Sequence, residues 1–147
     1  MTYKQPVSVL VVIHTPELKV LLIERRDFAN AWQSVTGSRE GDEVLIDTAC
    51  REVLEETGID ASSHRLSDWQ HVNEYEIYPV WRHRYAPGIT TNTEHVFSLE
   101  VSAELPVTLS PGEHGRYCWV DWAQAAEMVF SPSNADAIRR LPLHAGD

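Results

Sequence analysis

The apolar positions fall into short runs at the start of the chain and into a helically spaced set further in. Pro6 to His14 is an apolar, β-branched run, separated by the polar turn Thr15 to Glu17 from a second run, Lys19 to Ile23, and both read as strands. A polar, glycine-containing loop occupies Gly37 to Glu43. From Val44 to Thr57 there is no Gly or Pro and good helix formers prevail, so a helix is expected, with Leu45, Ile46, Ala49, Cys50 and Val53 on its apolar face. Gly58 then supplies the left-handed residue that ends a helix. Further strands are expected at Trp69–Tyr78, Val80–Tyr85, His95–Val101 and Arg116–Val120. Two short helices, Trp122–Val129 and Asn134–Arg140, close the chain, the second introduced by Ser133 as its cap. The sequence has no repeat or low-complexity tract, and 147 residues that are 43% hydrophobic fill one core. A single domain over residues 1–147, of mixed α and β structure, is therefore expected.

Charge narrows the function. Twelve Lys and Arg stand against 22 Asp and Glu, a formal charge of −10, the opposite of the basic footprint that non-specific nucleic-acid binding needs. A phosphate-bearing ligand then requires cations to hold it. The run Val7 to Ile13 is too short to cross a bilayer and lacks the flanks of a signal peptide, so the expectation is a cytoplasmic protein with neither membrane nor nucleic acid as partner. Cys50 and Cys118 are far apart with apolar neighbours, and buried free thiols are expected.

The chemistry concentrates in Gly37 to Ile59, GSREGDEVLIDTACREVLEETGI. On the expected helix Glu52, Glu55 and Glu56 stand at i, i+3 and i+4, so three like charges share one patch. Such a patch suits a hard cation that takes oxygen ligands and bridges to phosphates. A solvated acidic edge, with Arg51 paired to Glu55, is the plainer reading of the glutamates alone. Their setting decides between the two: Gly37, five residues, Glu43, seven residues, then Arg51, Glu52, Val53, Leu54, Glu55, Glu56, Thr57, Gly58, Ile59.

In this pattern the chain resembles the Nudix hydrolases, whose signature it matches at every defined position. The resemblance implies an α/β (α+β) fold, an α/β/α sandwich around a mixed sheet. It implies Mg2+ as cofactor, with Mn2+ able to substitute, and Glu52, Glu55 and Glu56 as metal-facing carboxylates. Glu43 and Arg51 are expected to form an ion pair that positions the loop, and Gly37 to let the backbone pass close to metal or phosphate. Relatives often place a glycine directly before the first signature glutamate; here Asp42 intervenes between Gly41 and Glu43. A carboxylate is expected to take a proton from the attacking water, Glu56 being the first candidate and Glu113, in the loop SPGEHGRY, the second.

Outside the signature, the segments KQPVSVLVVI, WQSVTGS, WRHRYAPGITTNTEH and SPGEHGRYCWVD, with Arg25 and Arg26, are similar to a bacterial subgroup of that family, the dihydroneopterin triphosphate pyrophosphohydrolases of folate synthesis. That similarity implies a ligand site lined by Lys4, Arg25, Thr36, Tyr75, Glu76, Ile77, Tyr78 and Ser131, with Glu113 as a further metal ligand. It implies a small-molecule triphosphate as substrate and a monomer or weak homodimer. A dATP or other deoxynucleoside triphosphate pyrophosphohydrolase stands as the alternative, because adenine and pterin are similar flat rings. A non-catalytic nucleotide-sensing module would not need to retain a self-repelling acidic cluster.

Overall fold

The computed structural model describes residues 2–144. Two strands whose side chains are apolar on both faces lie inside the sheet: β1 (Val7–His14) and β2 (Lys19–Arg25). A strand buried on both faces needs cover on both, and the chain supplies it with helices. The remaining strands are β3 (Trp32–Gln33), β4 (Val35–Ser38), β5 (Arg65–Glu76), β6 (Thr91–Glu100) and β7 (His114–Asp121). The main path of the sheet runs β3-β2-β1-β6-β5, with β4 paired to β1 and β7 to β2. β1 and β6 run parallel over the whole of β1, and the other pairings are antiparallel, so the sheet is mixed.

Strand alternation sorts the core into two layers. Val9, Val11, Ile13, Leu21 and Ile23 face α1 (Leu45–Thr57) and pack with Ala49, Val53 and Phe97. Leu10, Val12, Val20 and Leu22 face α2 (Trp122–Met128) and α3 (Pro132–His144), packing with Ala125, Ile138 and Leu141. Each fully buried aliphatic side chain contributes roughly 1.5–3 kcal/mol of transfer free energy. The result is the expected sandwich, helix over mixed sheet over helices. No helix among the described residues is long and apolar enough to cross a membrane.

Several sequence expectations shift. α1 ends as expected, Gly58 at φ 75° donating to the Leu54 carbonyl at 2.9 Å. Ile46, placed on its apolar face, is 47% exposed, because the buried stripe runs through Ala49, Val53 and Glu56 and leaves Ile46 at its margin. Val80–Tyr85 is not a strand: Val80–Arg84 lies in a 3₁₀ turn, Pro79–Arg84, and Tyr85 forms an isolated bridge to Lys4. Pro79 has no N–H for a ladder and opens the turn instead, which Trp81 N–H closes on the Tyr78 carbonyl at 2.9 Å. β5 starts four residues ahead of Trp69, ends before Tyr78, and bulges at Gln70, whose φ is 53°. α3 begins at Pro132, and its cap is Ser131, whose hydroxyl accepts from Asn134 N–H at 3.4 Å; Ser133 is already inside the first turn. Cys50 and Cys118 are free, as expected, but only partly buried.

Candidate active site

A cleft of about 1040 Å³ opens where the chain start, β4, α1, the turn before β7, the 3₁₀ turn and the start of α3 meet. The residues expected to face metal or ligand line it, while Glu43 and Arg51 stand behind its wall. Gly37, Glu52, Glu55, Glu56 and Glu113 gather at one end. Lys4, Arg25, Thr36, Tyr75, Glu76, Ile77, Tyr78 and Ser131 line the rest.

At the acidic end Arg51 organises the carboxylates. Its Nε and Nη2 donate to the two oxygens of Glu43 at 2.8 and 3.0 Å, and Nη2 also reaches the Ser38 carbonyl at 2.9 Å. The expected Glu43–Arg51 pair is thus present and ties the loop to α1. Arg51 holds the Glu43 carboxyl down to about 2. Its remaining nitrogen, Nη1, donates to Glu52 at 2.7 Å and to Glu55 at 3.3 Å. Gly37 sits against Glu52: a Cβ there would lie 2.0 Å from the Glu52 carboxyl carbon, so no other residue fits without displacing the carboxylate.

Glu56 is 2% exposed, with Oε1 3.0 Å from His114 Nε2 and Oε2 buried without a hydrogen-bond partner. Burial first, and then the neighbouring carboxylate of Glu56, push Glu52 well above the usual carboxylate range. Burial is also the main cause for Glu56, with the charges of Glu113 and Glu55 adding to it. Burial pushes His114 down. Glu113 sits in the exposed turn just before β7, where its carbonyl accepts from Arg26 N–H at 2.9 Å.

Beyond the acids stand cations and aromatic rings. Arg25 donates twice to Asp27, both at 2.8 Å, and its guanidinium carbon lies 4.5 Å from the centre of the Trp81 ring. Lys4 is set in the cleft, and desolvation first and Arg84 second lower its ammonium from the ordinary value. Tyr78, Trp81 and Phe130 pack together with ring centres 5.3 to 6.2 Å apart. Thr36 Oγ1 donates to the Val9 carbonyl at 2.9 Å, and Ile77 is buried at the cleft lining. Glu76 points outward, its carboxylate 3.9 Å from Arg82.

Residues that sequence reasoning missed include His114, Asp27, Trp81 as a cleft wall, Phe130, Asn92 and Glu94. His114 adjoins Glu113 in sequence, but its pairing with a residue 58 positions earlier has no local signal.

The sequence profile of the NUDIX domain matches residues 4–141. The chain belongs to the Nudix family. Within the family it is 44% identical over 146 residues to the dihydroneopterin triphosphate diphosphatase of Escherichia coli K12, covering 97% of this chain and 96% of that protein. The protein of the same name from Haemophilus influenzae is 46% identical over 143 residues, 95% of this chain and 89% of the relative. The solved structure of the E. coli dihydroneopterin triphosphate pyrophosphohydrolase superposes with a TM-score of 0.91 at 44% identity, over 99% of this chain and 100% of that one.

Nudix hydrolases generally use divalent metal ions such as Mg2+. The residues of the acidic end fit such an ion. The buried Glu56 Oε2 lacks a partner, the available donors are hard oxygens, and Gly37 leaves the Glu52 carboxylate the room a side chain would take. Among the described residues, no three acidic, His or Cys side chains already converge on one point, since Arg51 Nη1 draws Glu52 and Glu55 toward itself.

Proposed function

We propose that this Nudix protein hydrolyses dihydroneopterin triphosphate to dihydroneopterin monophosphate and pyrophosphate, as a cytoplasmic step of folate synthesis. The likeness over nearly the whole chain to the E. coli and H. influenzae diphosphatases carries the reading. The cleft supports it, because it brings together acids, cations and aromatic rings, the groups that a metal-bound water, a triphosphate and a heterocycle require, with Arg25 against the Trp81 ring.

Glu52, Glu55, Glu56 and Glu113 would hold Mg2+, with the backbone at Gly37 close by. The ion, when bound, offsets charge on the phosphate chain and lowers the pKa of a bound water. The rest falls to this chain's own side chains. Lys4 and Arg25 face phosphate oxygens, Lys4 as a point charge and Arg25 as a planar fork oriented by Asp27 and Trp81. Glu56, oriented by His114, accepts a proton from the attacking water, a role that suits a carboxylate whose affinity for protons burial has raised toward neutrality. Tyr75, Ile77 and Tyr78 pack on the ring, and Thr36, Glu76 and Ser131 border it.

The deciding experiment is a parallel assay, with Mg2+, on dihydroneopterin triphosphate and a panel of nucleoside and deoxynucleoside triphosphates, resolving pyrophosphate from orthophosphate. Highest kcat/KM on the pterin with pyrophosphate released is the expected outcome. Preference for dATP would replace the substrate and keep the chemistry, and no turnover of any triphosphate would mark a binding module.

A further inference from the structure

The floor of the aromatic end carries a carboxylate that hydrolysis does not use. Glu94 stands on β6 between Ser8 of β1 and Asn73 of β5, so it shares the face of Leu10 and lies across the sheet from the core that packs on α1. It is 3% exposed, yet it lines the cleft. One of its oxygens accepts from Asn73 Nδ2 at 3.3 Å, and among the described residues no Lys or Arg forms an ion pair with it. Two residues along the same face, Asn92 is 1% exposed and also lines the cleft. Asn92 Nδ2 donates to Ser8 Oγ at 2.7 Å and Tyr75 Oη at 3.1 Å, while Oδ1 is buried without a partner.

A buried carboxylate without a cation and a buried carbonyl without a donor both cost stability in the free protein. Burial pushes the Glu94 carboxyl above its ordinary value, and hydrogen bonding from Ser133 and Asn73 with the nearby His71 offsets that only in part. The two groups are acceptor-rich, and they line the same cleft as the aromatic rings of Tyr78, Trp81 and Phe130. A flat ring that brings N–H donors on its edge satisfies all of this at once.

We infer that Glu94 determines ring specificity, its two oxygens accepting the adjacent ring N–H and amino N–H of a 2-amino-4-oxo pyrimidine edge, with Asn92 Oδ1 as a further acceptor beside it. Pterins and guanine share that edge. Adenine, with a bare ring nitrogen next to its amino group, does not. Two parallel donors meeting two carboxylate oxygens form the bidentate geometry that makes such recognition selective. The inference rests on the triphosphate-hydrolase reading, and it names the residue that chooses among triphosphates.

The test compares wild type and Glu94→Gln on dihydroneopterin triphosphate, dGTP, dITP and dATP, as substrates or as competitive inhibitors, with thermal melting to verify folding. Gln presents one acceptor and one donor where two acceptors are needed. The ratio of kcat/KM for the pterin to that for dATP is expected to fall by about 10- to 100-fold, the worth of one bidentate pair. The dGTP-to-dATP ratio should fall with it. If the variant does not fold, wild type alone decides: dITP, which lacks the amino group, should be about tenfold poorer than dGTP, and equal values overturn the inference. A wild-type pterin preference with ratios unchanged in Glu94→Gln sinks the inference and leaves the proposed function standing. Wild-type preference for dGTP over the pterin, with the dGTP ratio collapsing in the variant, does the reverse. Wild-type preference for dATP sinks both.

Discussion

The two ends of the cleft are built in opposite ways. The acidic end comes almost entirely from one stretch, in which Gly37, Glu43, Arg51, Glu52, Glu55 and Glu56 meet through a loop and a single helix, with Glu113 and His114 completing it from the turn and strand opposite. The ring end is assembled from pieces far apart in sequence: Ser8 of β1, Tyr75 of β5, Tyr78 just before the 3₁₀ turn and Trp81 within it, Asn92 and Glu94 of β6, and Phe130 and Ser131 before α3. The acidic end is self-repelling and held together by one arginine; the ring end is apolar with buried acceptors. A fixed chemistry can therefore persist in one compact signature while the recognised ring changes through residues that share no spacing.

The largest expected effect separates the ends by function. Glu56→Gln keeps the shape and removes the carboxylate, so turnover should fall by about 10²- to 10⁴-fold with near-ultraviolet circular dichroism unchanged. The factor should be the same for every triphosphate tested, and a loss that depended on the ring would show that the two ends do not act separately. Gly37→Ala comes next. Its Cβ would stand 2.0 Å from the Glu52 carboxyl carbon, and the carboxylate must move. Titration of activity with Mg2+ should show an apparent affinity weaker by about 10- to 100-fold, the scale typical for misplaced metal-site support. Wild-type Mg2+ dependence in this variant would mean that Glu52 does not need its place beside the glycine.

Tyr78→Ala probes the other end. Tyr78 packs on Trp81 and Phe130 and makes no ion pair of its own among the described residues, so it tests the aromatic wall. Loss of a stacking face is worth about 1–3 kcal/mol, and KM for the pterin should rise about tenfold while kcat changes less. An equal fall in kcat with KM constant would relocate Tyr78 to the chemistry.

The same contrast explains what the sequence could reveal. β1, β2 and α1 follow from periodicity, because strands apolar on both faces and a helix with a buried stripe have few other solutions, and the Glu43–Arg51 pair follows from spacing within one motif. Val80–Tyr85 carries the Val, Trp and Tyr that favour strands, but Pro79 ahead of it removes a ladder donor and turns the chain. Glu94 and Asn92 were illegible because a polar residue on a strand ordinarily marks a wet face; only the pairing of β6 with β1 and β5 puts them under a cleft floor. His114 was illegible because its partner, Glu56, is close only in the fold.

The smallest expected effect is on stability, and its sign follows from the acidic end. Glu52 and Glu56 start from an ordinary value of 4.5 and are raised to about 9 and about 8 in the folded protein. The folded state then holds protons more tightly than the unfolded one, so their contribution is whole below the ordinary value and is lost as pH rises through the folded values. Glu43, held down to about 2, behaves oppositely, its contribution being lost only as pH falls below the ordinary range. In chelator the melting temperature should therefore decline from about pH 5 to about pH 8.5, by about 2–4 °C for each kcal/mol lost. Mg2+ binds the ionised carboxylates, so the melting increment it confers should grow over the same window. Glu94, raised by burial at the ring end, steepens the decline in chelator but lies outside that increment. An increment that stayed flat with pH would mean that the cation does not act on Glu52 and Glu56, and the division between an ion-binding end and a ring-binding end would have to be redrawn.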